Sequence, residues 1–296
     1  MKKVFFFSIA AGILSLTGCS SNDEPTISES EYITIDSTIG QMSRVTTSDN
    51  GSQTFSKDDK ISVYAWTGDN AEPIASELVI NNRINTFDGA VWTANPMMKW
   101  KDTTSKHFFL GVFPTRNISN FTVDSYTLDP ENQLTSDLLV ALNTSGLTAS
   151  KTPVQLDFNH VMAKLVVNLS FNSQWGETPT ITSVTAKAKK TATINYLTND
   201  STAVTATGTT ADITLPSIKA NTTYSSIMVP ESNLRTIEIV INGNTYTYTN
   251  NDEISLISGK YTTIELMIGR DEDKIVLNNV TINDWVEGDT IEGEAL

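Results

Sequence analysis

Apolar and polar positions alternate with a period of two along most of this chain, the pattern of strands with one face buried. Tyr32 to Ile39 is the first such stretch, with Ile33, Ile35 and Ile39 on one face and Thr34 and Asp36 on the other. Ile61, Val63 and Ala65 then alternate with Ser62, Tyr64 and Trp66. Phe108 to Phe113 is a short, nearly continuous apolar run. Val154, Leu156 and Phe158 alternate with Gln155 and Asp157, and Leu165, Val167, Leu169 and Phe171 share a face. Ile237, Ile239 and Ile241 lead into Asn242-Gly243 and then Tyr246 and Tyr248. An Asn-Gly between alternating runs predicts a tight hairpin, because both turn residues must accept positive φ. Ile264, Leu266 and Ile268 follow, then Ile275, Leu277, Val280 and Ile282. One segment, Pro130 to Leu142, has helical spacing in Leu134, Leu138, Leu139 and Leu142 and is expected to be a helix or an irregular loop. Many short strands separated by turns predict an all-β fold of antiparallel sandwiches. The length fits two of them, with a boundary near residue 160.

The N-terminus has a different pattern. Lys2 and Lys3 precede an apolar run from Val4 to Leu16, followed by Leu16-Thr17-Gly18-Cys19. Charged, apolar and small residues in that order read as a secretory signal. The run is shorter than the roughly 20 apolar residues a bilayer span needs. The small residues before Cys19 resemble a lipobox, which makes Cys19 the expected lipidation site. Cys19 is the only cysteine in 296 residues, so no disulfide forms within the chain and a core must hold it together. Ser20 to Ser30 reads as a polar tether.

Formal net charge is −14 and becomes −16 when Lys2 and Lys3 leave with the signal. An acidic chain excludes nucleic acid as a partner class and disfavours flat binding to anionic lipid. Only 18% of residues are charged and 39% are apolar, which is not the composition of a disordered chain.

Catalytic chemistry finds little support. His107 and His160 are the only histidines, and neither has a second histidine or an acid at ligand spacing, so both read as structural. No nucleophile elbow, zinc-protease motif or phosphate loop is present. No cofactor and no dedicated metal site are expected. The acidic groups Asp58-Asp59, Asp252-Glu253 and Asp271-Glu272-Asp273 sit among turn residues, the last offering a loop that a calcium ion would suit. Trp66, Trp92, Trp100, Trp175 and Trp285 read as packing residues, with a sugar-stacking platform as the rival reading.

Several stretches, taken together with the lipobox, carry a family resemblance. They are Ser43-Arg44-Val45, Lys57-Asp58-Asp59-Lys60-Ile61-Ser62-Val63-Tyr64, Phe158-Asn159-His160-Val161-Met162-Ala163-Lys164-Leu165, Met228-Val229-Pro230, Ser258-Gly259-Lys260-Tyr261-Thr262 and Ile282-Asn283-Asp284-Trp285. In this order the chain resembles the fimbrillins of Bacteroidota, the type V pilins. The resemblance implies two transthyretin-like β-sandwich domains in tandem and a non-enzymatic subunit of surface fimbriae. The implied organisation is a signal peptide at 1–18, a lipidated tether and removable first strand at 19–44, and sandwiches at 45–160 and 161–296. It also implies delivery to the outer membrane by the lipid and cleavage by an Arg-specific protease in the loop after the first strand. Arg44, five residues beyond Ile39 in a polar segment, is the expected cut. Loss of Ile33, Ile35 and Ile39 would then open a groove for a strand of another fimbrial subunit. The residues after Trp285 offer only Ile291 and Leu296 as apolar positions, a poor donor strand, which suits a tip or accessory subunit. The host or bacterial ligand cannot be read from the sequence. Asp36-Ser37-Thr38, Asp102-Thr103-Thr104, Asp200-Ser201-Thr202 and Asp289-Thr290-Ile291 resemble the O-glycosylation triplet of Bacteroidota. The rival functions are a surface glycan-binding lipoprotein and, further off, a hydrolase with facing carboxylates.

Overall fold

A computed structural model describes residues 31–39, 54–73, 77–198, 202–270 and 275–284. Its first ten strands are β1 (Tyr32–Ile33), β2 (Ile35–Ile39), β3 (Lys60–Thr67), β4 (Leu78–Phe87), β5 (Trp92–Ala94), β6 (Met98–Lys99), β7 (His107–Phe113), β8 (Asp124–Thr127), β9 (Leu139–Leu147) and β10 (Val154–His160). Nine follow: β11 (Ala163–Phe171), β12 (Ile181–Ile194), β13 (Val204–Thr214), β14 (Ser217–Lys219), β15 (Thr223–Met228), β16 (Glu231–Ile241), β17 (Asn244–Leu256), β18 (Lys260–Ile268) and β19 (Ile275–Asp284). The all-β expectation holds.

In the N-terminal half a seven-stranded sheet runs in the order β2-β10-β9-β7-β3-β4-β5, with β1 paired to β6 beside it. The sheet curls until its two edges, β2 and β5, approach each other. Its inner face buries Ile61 and Val63 of β3, Phe109 and Phe113 of β7, Leu139 of β9, and Val154, Leu156 and Phe158 of β10. The opposite face of β3, β7 and β9 buries Tyr64, Trp66, Leu110, Val112 and Val140 in a second cluster shared with the C-terminal half. Burial on both faces explains why Phe108 to Phe113 reads as an unbroken apolar run. Gly111 brings the backbone close against the core. A Cβ there would stand 2.7 Å from the Phe158 ring and 3.0 Å from Leu156.

The C-terminal half is a sandwich of two five-stranded sheets. One runs β14-β15-β11-β18-β19; the other runs β13-β12-β16-β17, with β8 also paired to β12. Leu165 and Val167 of β11 and Ile264 and Leu266 of β18 face Val184 and Ala186 of β12 and Ile237 and Ile239 of β16. The predicted Asn242-Gly243 hairpin joins β16 to β17, with φ of 50° and 84° at the turn.

β10 ends at His160 and β11 begins at Ala163, so the chain passes between the halves through Val161 and Met162. The halves are also joined earlier in sequence. Residues 114–128 cross the second face of the N-terminal sheet, where Tyr64 Oη donates to the Arg116 carbonyl (2.6 Å) and accepts from Ile118 N (2.8 Å). They deliver β8 to an edge of β12, registering Thr127 with Thr191 and Asp124 with Ile194.

The segment Pro130 to Leu142 corrects the helical expectation. Only Gln133–Ser136 form a turn of helix, α1, capped by Asn132. Leu134 is 52% exposed, whereas Leu138 and Leu139 are both buried and point to opposite faces as β9 begins. β9 lies between β7 and β10. A strand covered on both faces produces an apolar run with no period of its own, and helical spacing arose in it by coincidence.

Candidate strand-exchange site

The first strand candidate becomes two consecutive strands that change partner at Thr34. β1 runs antiparallel to β6, with Tyr32 opposite Lys99 and Ile33 opposite Met98. β2 runs parallel to β10, from Ile35 opposite Val154 to Ile39 opposite Phe158. Backbone bonds fasten both sides: Val154 N donates to the Thr34 carbonyl (2.8 Å) and Trp100 N donates to the Glu31 carbonyl (3.2 Å). Lys99 donates to the Glu31 carboxylate and lies 5.0 Å from the Tyr32 ring centre. The Glu31 bond raises the Lys99 pKa.

Alternation decides what the segment buries. Ile33 and Ile35 are 4% and 6% exposed, Ile39 is half-buried against the same core, and Thr34, Asp36 and Thr38 face out. Burying two isoleucines contributes about 3–6 kcal/mol in total. Among the described residues β2 is also the end of its sheet, with no strand hydrogen-bonded on its outer side. A groove of about 560 Å³ lies there, lined by β2 together with Phe55, Phe87, Val91, Trp92 and Pro153. Phe55 fills the space beneath, edge-on to Trp92, Phe113 and Phe158 at centroid distances of 4.9, 5.6 and 5.2 Å. Trp92 on β5 reaches across, its Nε1 donating to Ser37 Oγ at 2.8 Å. The buried N–H groups of Trp66 and Trp100 have no such partner. The structure thus brings Ile33, Ile35 and Ile39 into one apolar slot.

Sequence reasoning placed those three residues but missed Ser37, Phe55 and Trp92. The available signal was phase: Ser37 is a polar residue at the position where alternation demands an apolar one.

The histidines are structural, each with partners that spacing could not reveal. His107, on β7, donates from Nδ1 to the Ser105 carbonyl (2.9 Å) and accepts from Lys101 N at Nε2 (3.1 Å). Burial pushes its pKa down. His160 is paired through Nδ1 with Asp137 Oδ1 at 2.6 Å, both side chains being buried; that acid lies 23 residues away in sequence. Asp59 accepts from Ser56 N at a turn and Glu253 pairs with Arg235 at 2.9 Å, so both serve local structure. Trp66, Trp92 and Trp100 pack in cores. Trp175 is half-buried between Phe171 and Tyr246. Among the described residues no cluster of three or more metal-ligating side chains forms. Cys19, Arg44, Asp271 to Asp273, Trp285, Ile291 and Leu296 lie outside the described residues.

Layered strands on apolar cores, one core closed by a short edge strand, define the class as an all-β sandwich protein. The model of the fimbrillin-like family matches residues 43–285, and the chain belongs to that family, whose members are structural subunits of cell-surface fimbriae rather than enzymes. No curated protein matches the chain in sequence. Among solved structures it is similar to a protein assigned to cell adhesion from Bacteroides uniformis, with 17% identity and a TM-score of 0.65 over 86% of this chain and 98% of that one. Another from Bacteroides ovatus has 21% identity and a TM-score of 0.64 over 88% and 99%. The tip fimbrial protein Mfa3 from Porphyromonas gingivalis, with a C-terminal truncation, has 11% identity and a TM-score of 0.50 over 85% and 100%. These likenesses concern the fold.

Proposed function

We propose that this chain is a fimbrial subunit exported as a lipoprotein on Cys19, carried to the outer membrane, and activated there when an Arg-specific protease cuts after Arg44. The cut frees the segment that contains β1 and β2, and a strand from another subunit takes its place beside β10. The carrying observation is the position of Tyr32–Ile39. Its β1 pairs with β6 and its β2 ends the seven-stranded sheet among the described residues; residues 40–53 join it to the rest of the chain, and Ile33 and Ile35 fill apolar pockets. An edge row of unpaired backbone groups beside apolar pockets is a template for β-augmentation. The family match adds support, because it makes the chain fimbrillin-like over residues 43–285.

Mass spectrometry of subunits taken from assembled fibres tests the proposal. The expected N-terminus is Val45, and an Arg44→Ala variant should stay out of fibres. Fibre subunits that still begin at Cys19 would overturn it.

A second reading, glycan binding, finds support in a cleft of about 490 Å³ lined by Trp175, Asn242, Asn244, Tyr246 and Arg270 at the end of the C-terminal sandwich. Glycan-array binding by the monomer that is lost in Trp175→Ala would favour it.

A further inference from the structure

We infer that the slot selects its incoming strand by a hydroxyl group and by direction. The occupant carries aliphatic residues in phase with Ile33, Ile35 and Ile39, carries serine or threonine in phase with Ser37, and runs parallel to β10. The inference rests on the strand-exchange reading above and deepens it by giving the partner's chemistry.

Trp92 sets the rule. Its indole N–H is a donor only and cannot be satisfied by an apolar side chain. The ring is 7% exposed and wedged between Phe55 and Phe87, at centroid distances of 4.9 and 5.1 Å, so packing holds it away from bulk water. Its acceptor is Ser37 Oγ, on the segment that leaves. A replacement strand with an aliphatic residue at that phase would strand the buried donor. That weakens binding by roughly tenfold to a hundredfold. A carboxylate could accept the bond, but it would place a charge among Phe55, Val91 and Pro153, where desolvation opposes it. Threonine keeps the hydroxyl and sets its methyl group against that apolar wall.

Direction follows from the two ladders. The occupant must pair antiparallel with Met98–Lys99 first and then parallel with Val154–Phe158. The hydroxyl phase is third of the four inward positions, so a reversed strand presents an aliphatic residue to Trp92.

The pattern is an aliphatic residue at the first, third and seventh positions of a seven-residue window, with serine or threonine at the fifth. Ile33 to Ile39 is the only window of the 296 residues that has it. The nearest C-terminal alternations place Asn279 or Asp284 at the hydroxyl phase. Outside the leaving segment these 296 residues therefore offer no strand that meets the rule, which favours a heterologous neighbour as the donor.

The test uses the full chain with a site-specific protease sequence replacing Ser43–Val45. After cutting, fluorescent peptides spanning residues 31–39 are added and binding is read by anisotropy. The native peptide and its Ser37→Thr form should bind. The Ser37→Val and Ser37→Asp forms should bind roughly tenfold to a hundredfold more weakly, and the reversed sequence should not compete. A Trp92→Phe chain should lose the preference for serine over valine while still binding both. Equal binding of the serine and valine peptides to the native chain would sink the hydroxyl rule and leave strand exchange standing. Failure of every peptide, the native one included, would remove strand exchange with it. The cut chain alone should stay monomeric on gels, and ladders of itself would overturn the heterologous donor.

Discussion

Among the described residues each half of the molecule contains one parallel strand pair, and the two pairs stand at different places in their sheets. In the N-terminal half, β2 adds five residues to β10 and is the end of its sheet. In the C-terminal half, β18 registers with β11 over eight pairs and is covered in turn by β19. The inward residues Ile264, Leu266 and Ile268 are fully buried, while Ile33 and Ile35 keep 4% and 6% of their surface exposed. Parallel partners cannot be joined by a tight hairpin, so each pair closes a long stretch of chain. An interior strand with such a closure is trapped between its neighbours. An edge strand with the same closure can leave sideways while the rest of its sheet keeps its pairing.

The largest test of this contrast is removal of residues 31–39. Two buried isoleucines alone account for about 3–6 kcal/mol. Hydrogen exchange should show β10 and β9 losing protection while β11 and β18 retain it; equal loss in both halves would erase the distinction. Next in size, Ile264→Ala should cost about 4 kcal/mol and Ile35→Ala about 2 kcal/mol in urea unfolding, because an edge site relaxes into the space more easily. Gly111→Ala should cost about 1–3 kcal/mol by pressing on the Phe158 ring and Leu156, and its effect should concentrate around β2 and β10.

The smallest effect is a response to pH. His107 has its folded pKa depressed by burial, so it contributes stability above its ordinary value near 6.5 that is lost as pH falls. Protonating Nε2 would also break the bond from Lys101 N. Glu231, in the C-terminal half, has its pKa raised by burial, so its contribution is present at low pH and lost as pH rises. Acidification from pH 7.5 to 5 should therefore lower protection factors, exchange being taken relative to its intrinsic rate at each pH, around β7 and β6 and spare β16. A His107→Gln chain should show no such difference.

The sequence revealed faces better than partners. Period two put Ile33, Ile35 and Ile39 on one side because side-chain direction is a local property. It could not say that Ile39 sits opposite Phe158, since long-range pairing leaves no trace in local spacing. For the same reason Asp137 was not seen beside His160, nor Trp92 beside Ser37. The Asn242-Gly243 hairpin was legible because its partner strands are adjacent and its turn chemistry is specific. Pro130 to Leu142 misled because β9 is buried on both sides, which removes the alternation that would have marked it as a strand. β8 had no signal: four residues, Asp124–Thr127, gain their structure only from the β12 edge they meet.

That short strand has a mechanical consequence for a fibre subunit. The covalent link between the halves is Val161–Met162, but tension along the chain would also be carried by β8 on β12 and by Arg116, which grips Asp124 at 2.8 Å and the Ser125 carbonyl at 2.9 Å. Pulling the halves apart must shear these bonds together instead of opening a single hinge. A stretched subunit should therefore yield first at the β2 edge and keep its two halves clamped.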